Sequence, residues 1–151
     1  MCRNSIFMFS KACTYGIKAT LFIAKESQKG NRVGLADIAQ QIDSPAAFTA
    51  KILQQLKHHQ IIHTVKGPLG GFEIEGKKIP GIKLKDIVLA IDGDSVYAGC
   101  GLGFDHCNEK KPCPIHHQFK LIRNQLKIML ETANLLDLSN DIENGVTFLK
   151  R

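Results

Sequence analysis

The sequence predicts a mainly α-helical protein with a small β-hairpin wing: a winged helix-turn-helix followed by a long C-terminal dimerisation helix. Three observations support this fold class. The apolar pattern gives a helix, a short helix, a turn, a third helix and a hairpin in that order. A heptad-spaced apolar seam lies near the C-terminus. The 151 residues, 44% hydrophobic and 23% charged, suit one globular domain with an extension.

The first part of the chain carries the predicted head. We expect helices over 9–29, 33–41 and 45–58, the first capped by Ser10 and the third by Ser44. Strands are expected over 61–65 and 72–75, with a glycine-rich turn between them. The predicted winged helix-turn-helix domain spans 8–79, and a connecting helix, a cysteine loop and the dimerisation helix span 80–137. Residues 1–7 and 138–151 are expected to be flexible termini.

The last predicted helix, 114–137, carries apolar residues in alternating steps of four and three. A helix of about 24 residues is about 36 Å long, which exceeds what a small head covers. A partner chain would then bury the excess, giving a homodimer; the alternative is that the helix packs back on its own domain. A second stripe, Leu121, Ile128 and Leu135, repeats every seven residues. The expected dimer interface is Phe119, Ile122, Leu126, Met129 and Ala133.

The positive charge is concentrated in the first 91 residues. They hold thirteen Lys and Arg against six Asp and Glu, whereas residues 92–151 hold seven against eight. This asymmetry suggests a polyanionic partner, most often nucleic acid, and a merely solvated basic surface is the alternative. With the predicted helix-turn-helix, double-stranded DNA is the expected partner. In a helix-turn-helix the second helix enters the major groove, and phosphates are met by nearby cations. The expected DNA-binding residues are Lys11, Ala47, Ala50, Lys51, Gln54, Gln55, Lys57, Lys66 and Gly67.

Three of the five cysteines lie close together, as C-x6-C-x5-C: Cys100, Cys107 and Cys113, with His116 three residues after the last. Thiolates are soft ligands that favour iron–sulfur clusters or zinc. Structural zinc sites usually begin with a closer cysteine pair, so the wide spacing favours a cluster, with zinc or free thiols as alternatives. His106 and His117 are the second-choice ligands. Cys13 lies on an apolar stripe and is expected in the core.

Other classes of protein are disfavoured. No Ser-His-Asp order, phosphate-binding loop or HExxH motif supports an enzyme. No apolar run approaches the roughly 18 residues needed to cross a bilayer, so we expect no membrane partner and a cytoplasmic protein.

Four further segments carry specific motifs: SKxxxYGIKA at 10–19, LADIA at 35–39, VKGPLGGF at 65–72 and IVLAIDG at 87–93. Together with the three cysteines, they resemble the IscR/NsrR-type winged-helix transcriptional regulators, the Rrf2 family, over about residues 8–137. The resemblance implies a dimeric, DNA-binding regulator that binds a near-palindromic operator and holds an Fe–S cluster on the three cysteines, sensing redox, iron–sulfur or nitric-oxide status. A regulator of the same fold without a cluster, responding to a small molecule or a protein, is the alternative.

The chain departs from the family pattern at three places. The first cysteine gap has one residue more than the usual five. IscR-like members use a histidine as fourth ligand, which His116 matches, whereas the aspartate of NsrR-like members corresponds to Thr14. Histidine ligation resembles the 2Fe–2S members, so 2Fe–2S is favoured over 4Fe–4S. IscR-like proteins carry Glu-Gln where this chain has Ala50-Lys51, so a different operator is expected.

Overall fold

The computed structural model describes residues 8–151, and the predicted flexible segment 1–7 lies outside these described residues. The described chain is mainly helical with one two-stranded antiparallel hairpin, which confirms the predicted fold class. Its elements are α1 (Lys11–Gln28), α2 (Leu35–Ile42), α3 (Ala46–His58), β1 (His63–Val65), β2 (Gly71–Glu73), a 3-10 turn (Ile79–Gly81), α4 (Leu84–Asp92), α5 (Ser95–Ala98), α6 (His116–Thr132) and α7 (Leu135–Glu143).

The core is built around α1, which packs against α2, α3, α4 and α7. Ser10 caps α1 as predicted, because its hydroxyl accepts a hydrogen bond from the Cys13 amide at 3.0 Å. Gly16 allows α1 and α4 to approach closely: a Cβ at this position would lie 2.0 Å from Cδ1 of Ile91. Side chains from all five helices are fully buried there, including Ile23, Ile38, Leu53, Ile87 and Leu135.

The helix-turn-helix is formed by α2 and α3. Asp43 ends α2 in the left-handed conformation at φ 54°, which a short polar residue tolerates. Pro45, not the predicted Ser44, stands at the N-cap of α3, and no side chain caps this end. The Thr49 hydroxyl donates to the Pro45 carbonyl at 2.9 Å and ties the first turn together.

The predicted long helix over 114–137 is wrong, since α6 ends at Thr132 and a separate helix, α7, begins at Leu135. At 17 residues, α6 is about 25 Å long. Two hydrogen bonds compete with helix continuation: the Leu84 amide donates to Ala133 O at 3.0 Å, and the Leu135 amide donates to Ile82 O at 2.9 Å. Asn134 then caps α7 by accepting a hydrogen bond from the Asp137 amide.

The expectation of a loose tail from residue 138 is also wrong for the part that forms α7. Ser139 is buried and accepts a hydrogen bond from Gln28 Nε2 at 2.7 Å. Glu143 pairs with Lys29 at 2.9 Å, and this pairing lowers the pKa of the Glu143 carboxyl. The C-terminal part of the apolar pattern therefore folds back on α1. Ala133, predicted at the dimer interface, lies beyond the end of α6.

Candidate nucleic-acid interface and cysteine site

One face of α3 meets the hairpin across a shallow groove of about 310 Å³. Thr64 and Phe72 line its hairpin side. Ala47 and Gln55 are also exposed on α3 but do not line this groove. The structure thus brings four of the predicted DNA-binding residues to one concave surface, on the α3 side of the groove: Ala50, Lys51, Gln54 and Lys57.

The wing is held to the body by an ion pair that the sequence did not predict. Arg32, in the loop before α2, contacts Glu73 of β2 at 2.7 Å, and His63 of β1 contacts the same carboxylate at 2.8 Å. The hydrogen bond from Arg32 is the main cause that lowers the pKa of the Glu73 carboxyl. Arg32 also reaches the Leu69 carbonyl at the wing tip, at 3.4 Å. This brace links the loop before α2 to β2 and to the wing tip, beside the backbone bridge between Val33 and Phe72.

The wing tip itself is exposed and carries the predicted Lys66 and Gly67. Gly67 adopts φ +104°, which favours glycine. Gly70 cannot accept a side chain without a shift, because a Cβ would lie 2.1 Å from the Val65 carbonyl oxygen. Leu69 lies between these two glycines in the turn, and 87% of its surface is exposed. The tip is therefore a tight turn that presents a cation and an apolar side chain to solvent.

Lys11, the last predicted contact, lies outside the groove and is connected to α3 through two aromatic rings. Its ammonium lies 5.8 Å from the ring centroid of Tyr15, and that ring packs edge-on against Phe48 of α3 at 5.7 Å. The N-terminus of α1 is thereby placed beside the N-terminal half of α3.

The four predicted ligands line one cavity of about 140 Å³ between the loop and the start of α6. They form two pairs: Cys100 Sγ lies 3.9 Å from Cys113 Sγ, and Cys107 Sγ lies 3.2 Å from Nδ1 of the buried His116. His106 also lines the cavity, whereas the second-choice ligand His117 is exposed and packs edge-on against His116. Within residues 8–151, no three His, Cys, Asp or Glu side chains converge closely enough to enclose a single metal ion.

The donor set fits an iron–sulfur cluster in chemistry. Backbone amides of Leu102 and Phe104 are the main causes that lower the pKa of the Cys100 thiol, and N–H groups that face sulfur also stabilise cluster-bound thiolates. Arg123 of α6, which the sequence did not predict, donates to the Gly99 carbonyl at 2.9 Å and contacts Cys107 Sγ at 3.6 Å. A cation at this position offsets negative charge on the sulfurs.

Cys13 is a core residue, as expected. It is fully buried between α1, α4 and α6, and burial, followed by the charge of Asp92, raises its pKa to about 12. Asp92 ends α4, before α5 and the cysteine loop, and accepts hydrogen bonds from the Ser10 amide, at 2.9 Å, and from the Ser10 hydroxyl. The end of α4 thus holds the N-cap of α1.

The apolar side of α6 has little cover from its own chain. Leu121, Ile122 and Ile128 expose 68%, 61% and 53% of their surfaces, and Met129 is exposed as well. A second cavity of about 430 Å³ lies between α5 and α6. It adjoins the cysteine cavity at Cys100 and is lined mainly by apolar side chains: Met8, Val96, Phe119, Ile122 and Leu126. None of the helices within residues 8–151 has the length and apolarity needed to cross a membrane.

Comparison with known proteins agrees with this architecture. A protein of Aquifex aeolicus (strain VF5), provisionally described as an HTH-type transcriptional regulator, is 27% identical over 135 residues, which cover 88% of this chain and 92% of that protein. A Rhodobacter capsulatus protein, provisionally described as an rrf2-like HTH-type regulator, is 24% identical over 143 residues, 87% of this chain and 91% of its own.

Two solved structures share the fold. CymR, the global cysteine regulator of B. subtilis, superposes with a TM-score of 0.73 at 20% identity, covering 87% of this chain and 95% of that one. IscR of T. potens superposes with a TM-score of 0.68 at 19% identity, covering 91% and 90%. The family model Rrf2, described as an iron-dependent transcriptional regulator, matches residues 9–141. The chain therefore belongs to the Rrf2 family of transcriptional regulators.

Proposed function

We propose that this regulator works as a homodimer on a near-palindromic operator in the cytoplasm and senses redox, iron–sulfur or nitric-oxide status through an Fe–S cluster. The observation that carries the proposal is the cavity lined by three thiols and by the imidazoles of His116 and His106, in a protein whose head carries a basic groove. Its action is binding rather than catalysis.

The DNA-binding part of the proposal is supported by the groove between α3 and the wing. We expect Lys51, on the α3 side of the groove, to contact a base edge, and Lys66, exposed at the wing tip, to contact phosphate. With a duplex selected from a random library, Lys51→Ala should weaken specific binding by about 1–3 kcal/mol. Lys66→Ala should weaken selected and random duplexes alike and reduce the salt slope by about one. Lys127→Ala, an exposed lysine on α6, is the matched control. Wild-type binding that is independent of salt would refute the DNA assignment.

Dimerisation through α6 is supported by its exposed apolar side. Leu126 is half-buried against its own chain, so Ile122, 61% exposed, is the cleaner test position. Ile122→Glu should give monomer by light scattering, because a charge buried without a partner at the interface costs several kcal/mol. Lys127→Glu introduces the same residue on the side of α6 that carries Arg123 and Glu131 and should remain dimeric. A dimeric Ile122→Glu protein would rule this face out.

The residues that would hold the cluster are Cys100, Cys107, Cys113 and His116, and histidine ligation favours 2Fe–2S over 4Fe–4S. The cluster would supply a redox-active, nitric-oxide-reactive centre, while Arg123 and the backbone amides around Cys100 stabilise the sulfurs. Anaerobically purified protein should be brown and contain iron and sulfide. Cys107→Ala should lose the colour and keep the fold, because this loop adds little to the core. A colourless protein that contains stoichiometric zinc would show that the site binds zinc instead of an iron–sulfur cluster.

The link between loop and head is supported by the hydrogen bonds of Asp92 to Ser10. If the cluster biases the contact between Asp92 and Ser10, binding of the cluster must change the affinity of the protein for its operator. Binding of the operator must then change the stability of the cluster by the same factor. We expect a factor of about 5–150. Equal operator affinity of iron-loaded and iron-free protein would leave the cluster without a sensing role.

A cluster-free regulator that binds a small molecule is the second candidate, favoured by the apolar cavity of about 430 Å³ between α5 and α6. Its volume is in the range of ligand pockets. Iron-free protein whose operator affinity responds to an apolar ligand, with loss of the response in Val96→Trp, would favour this candidate.

A further inference from the structure

Two of the three loop cysteines are set apart from the third by their contacts. The sulfurs of Cys100 and Cys113 are 3.9 Å apart. Cys107 is held instead by His116 Nδ1 at 3.2 Å and by Arg123 at 3.6 Å. The geometry thus divides the cysteines into a facing pair and a single thiol with its own partners.

We propose that Cys100 and Cys113 form a reversible disulfide when the cluster-free protein meets a hydroperoxide, while Cys107 remains reduced. The site would make the same loop a thiol-based sensor. The inference concerns the cavity of the proposed cluster but does not depend on the cluster, because it describes the protein without iron.

The contact distance and the placement of the pair support bond formation. A disulfide requires an S–S distance of about 2.05 Å, so the two sulfurs must approach by about 1.9 Å. Both lie between α5 and α6, and Gly103 at φ +78° lies in the stretch that joins them. Loop backbone moves more readily than packed helices. The required approach therefore needs no change in the core.

The chemistry balances with the hydroperoxide as oxidant. The Cys100 sulfur attacks the O–O bond of hydrogen peroxide, giving a sulfenic acid and one water. The Cys113 thiol then attacks the sulfenic sulfur, the S–O bond breaks, and the second water leaves with the thiol proton. Two thiols are oxidised by two electrons, and one peroxide is reduced to two waters.

Cys13 and Cys2 do not interfere with the experiment. Cys13 is fully buried with a pKa of about 12, so it is inert to the oxidant. Cys2 lies outside the described residues and is replaced by serine in every protein used. The chain has five cysteines, so the Cys2→Ser protein has four.

The test is peroxide titration of iron-free, reduced Cys2→Ser protein under anaerobic preparation. We expect the number of free thiols, counted after the protein is denatured, to fall from four to two. The mass of the chain should fall by two hydrogens. Peptides containing Cys100 and Cys113 should be joined, and dithiothreitol should restore the thiols. Non-reducing gels should show no cross-linked dimer, because the bond lies within one chain.

Variants at each cysteine give the controls. Cys107→Ser should form the same bond, while Cys113→Ser should instead accumulate a sulfenic acid on Cys100 that dimedone labels. Circular dichroism checks that each variant is folded. A disulfide that includes Cys107, or four thiols after peroxide treatment in folded protein, would overturn the proposal. Because no iron is present, neither result depends on whether the cluster proposal holds.

Discussion

Leu135 and Ile128 provide a direct test of the break between α6 and α7. The two side chains lie one heptad apart, so a continuous helix would place them on one stripe in the same environment. In the structure Leu135 is 1% exposed in the main core, whereas Ile128 is 53% exposed. Leu135→Ala should therefore remove the packing contacts of a fully buried side chain, whereas Ile128→Ala removes those of a side chain that is about half exposed.

The magnitudes follow from burial. Truncation of a fully buried leucine to alanine costs about 2–5 kcal/mol, from lost transfer energy and the remaining cavity. For a domain of this size each kcal/mol lowers the Tm by about 2–4 °C. Ile128→Ala should cost below about 1 kcal/mol in the fold of one chain, because about half of its side chain is already in water.

Thermal and urea unfolding measured at several protein concentrations is the assay. The loss at Leu135 should be independent of concentration, whereas any loss at Ile128 should grow on dilution if this residue lies at a dimer interface. Equal, concentration-dependent losses at both positions would refute the separation of α6 from α7. A folded Leu135→Ala protein with unchanged stability would refute the burial of α7 against α1.

Three further predictions concern the wing and the loop junction. Gly71→Ala should loosen the wing and weaken DNA binding, because a Cβ at this position would lie 2.8 Å from the Val33 carbonyl oxygen and φ is +142°; wing amide exchange and gel shifts measure this. Arg32 lowers the Glu73 pKa below its ordinary 4.5, so the brace contributes stability above that pH and loses it as pH falls through the lowered value; Glu73→Gln should flatten this acid limb of the unfolding curve. Asp92→Ala should destabilise the fold by about 1–2 kcal/mol, since Ser10 and the N-terminus of α1 lose a carboxylate acceptor; urea unfolding measures the loss.

The order of α1, α2, α3, the hairpin and α4 could be predicted because each of these elements has a local signal. Alternating and helical apolar periods, the Ser10 cap and the glycine-rich turn depend on neighbours within a few residues. The end of α6 has no such signal, since Leu135 and Leu136 continue the heptad pattern. They are apolar because α7 packs on α1, a contact between residues more than a hundred positions apart. The spacing of apolar residues is the same whether a helix packs against a second chain or against α1 of its own chain, so the pattern alone cannot distinguish these two cases.

The residues of the candidate sites also differ in whether a local signal marks them. The lysines of α3 and the closely spaced cysteines could be selected as candidates from residue type and spacing alone. Arg32, Arg123 and Asp92 were not identified, because each acts across a long separation in sequence: Arg32 on Glu73, Arg123 on Cys107 and Asp92 on Ser10. Single charged residues in loops or at helix ends have no distinguishing local pattern. Their partners are fixed only once the helices have packed.

The packing around Cys13 connects the helices on both sides of the cysteine loop to α1. Cys13 of α1, Val88 of α4 and Leu130 of α6 form one buried cluster, and Val96 of α5 packs against it. Close-packed side chains transmit displacement, because a shift of one leaves its neighbours without contacts. From α1 the contacts continue through Tyr15 to Phe48 on α3. If the proposed sensing holds, we expect a displacement of α5 or α6 to act on α1, which packs against α3.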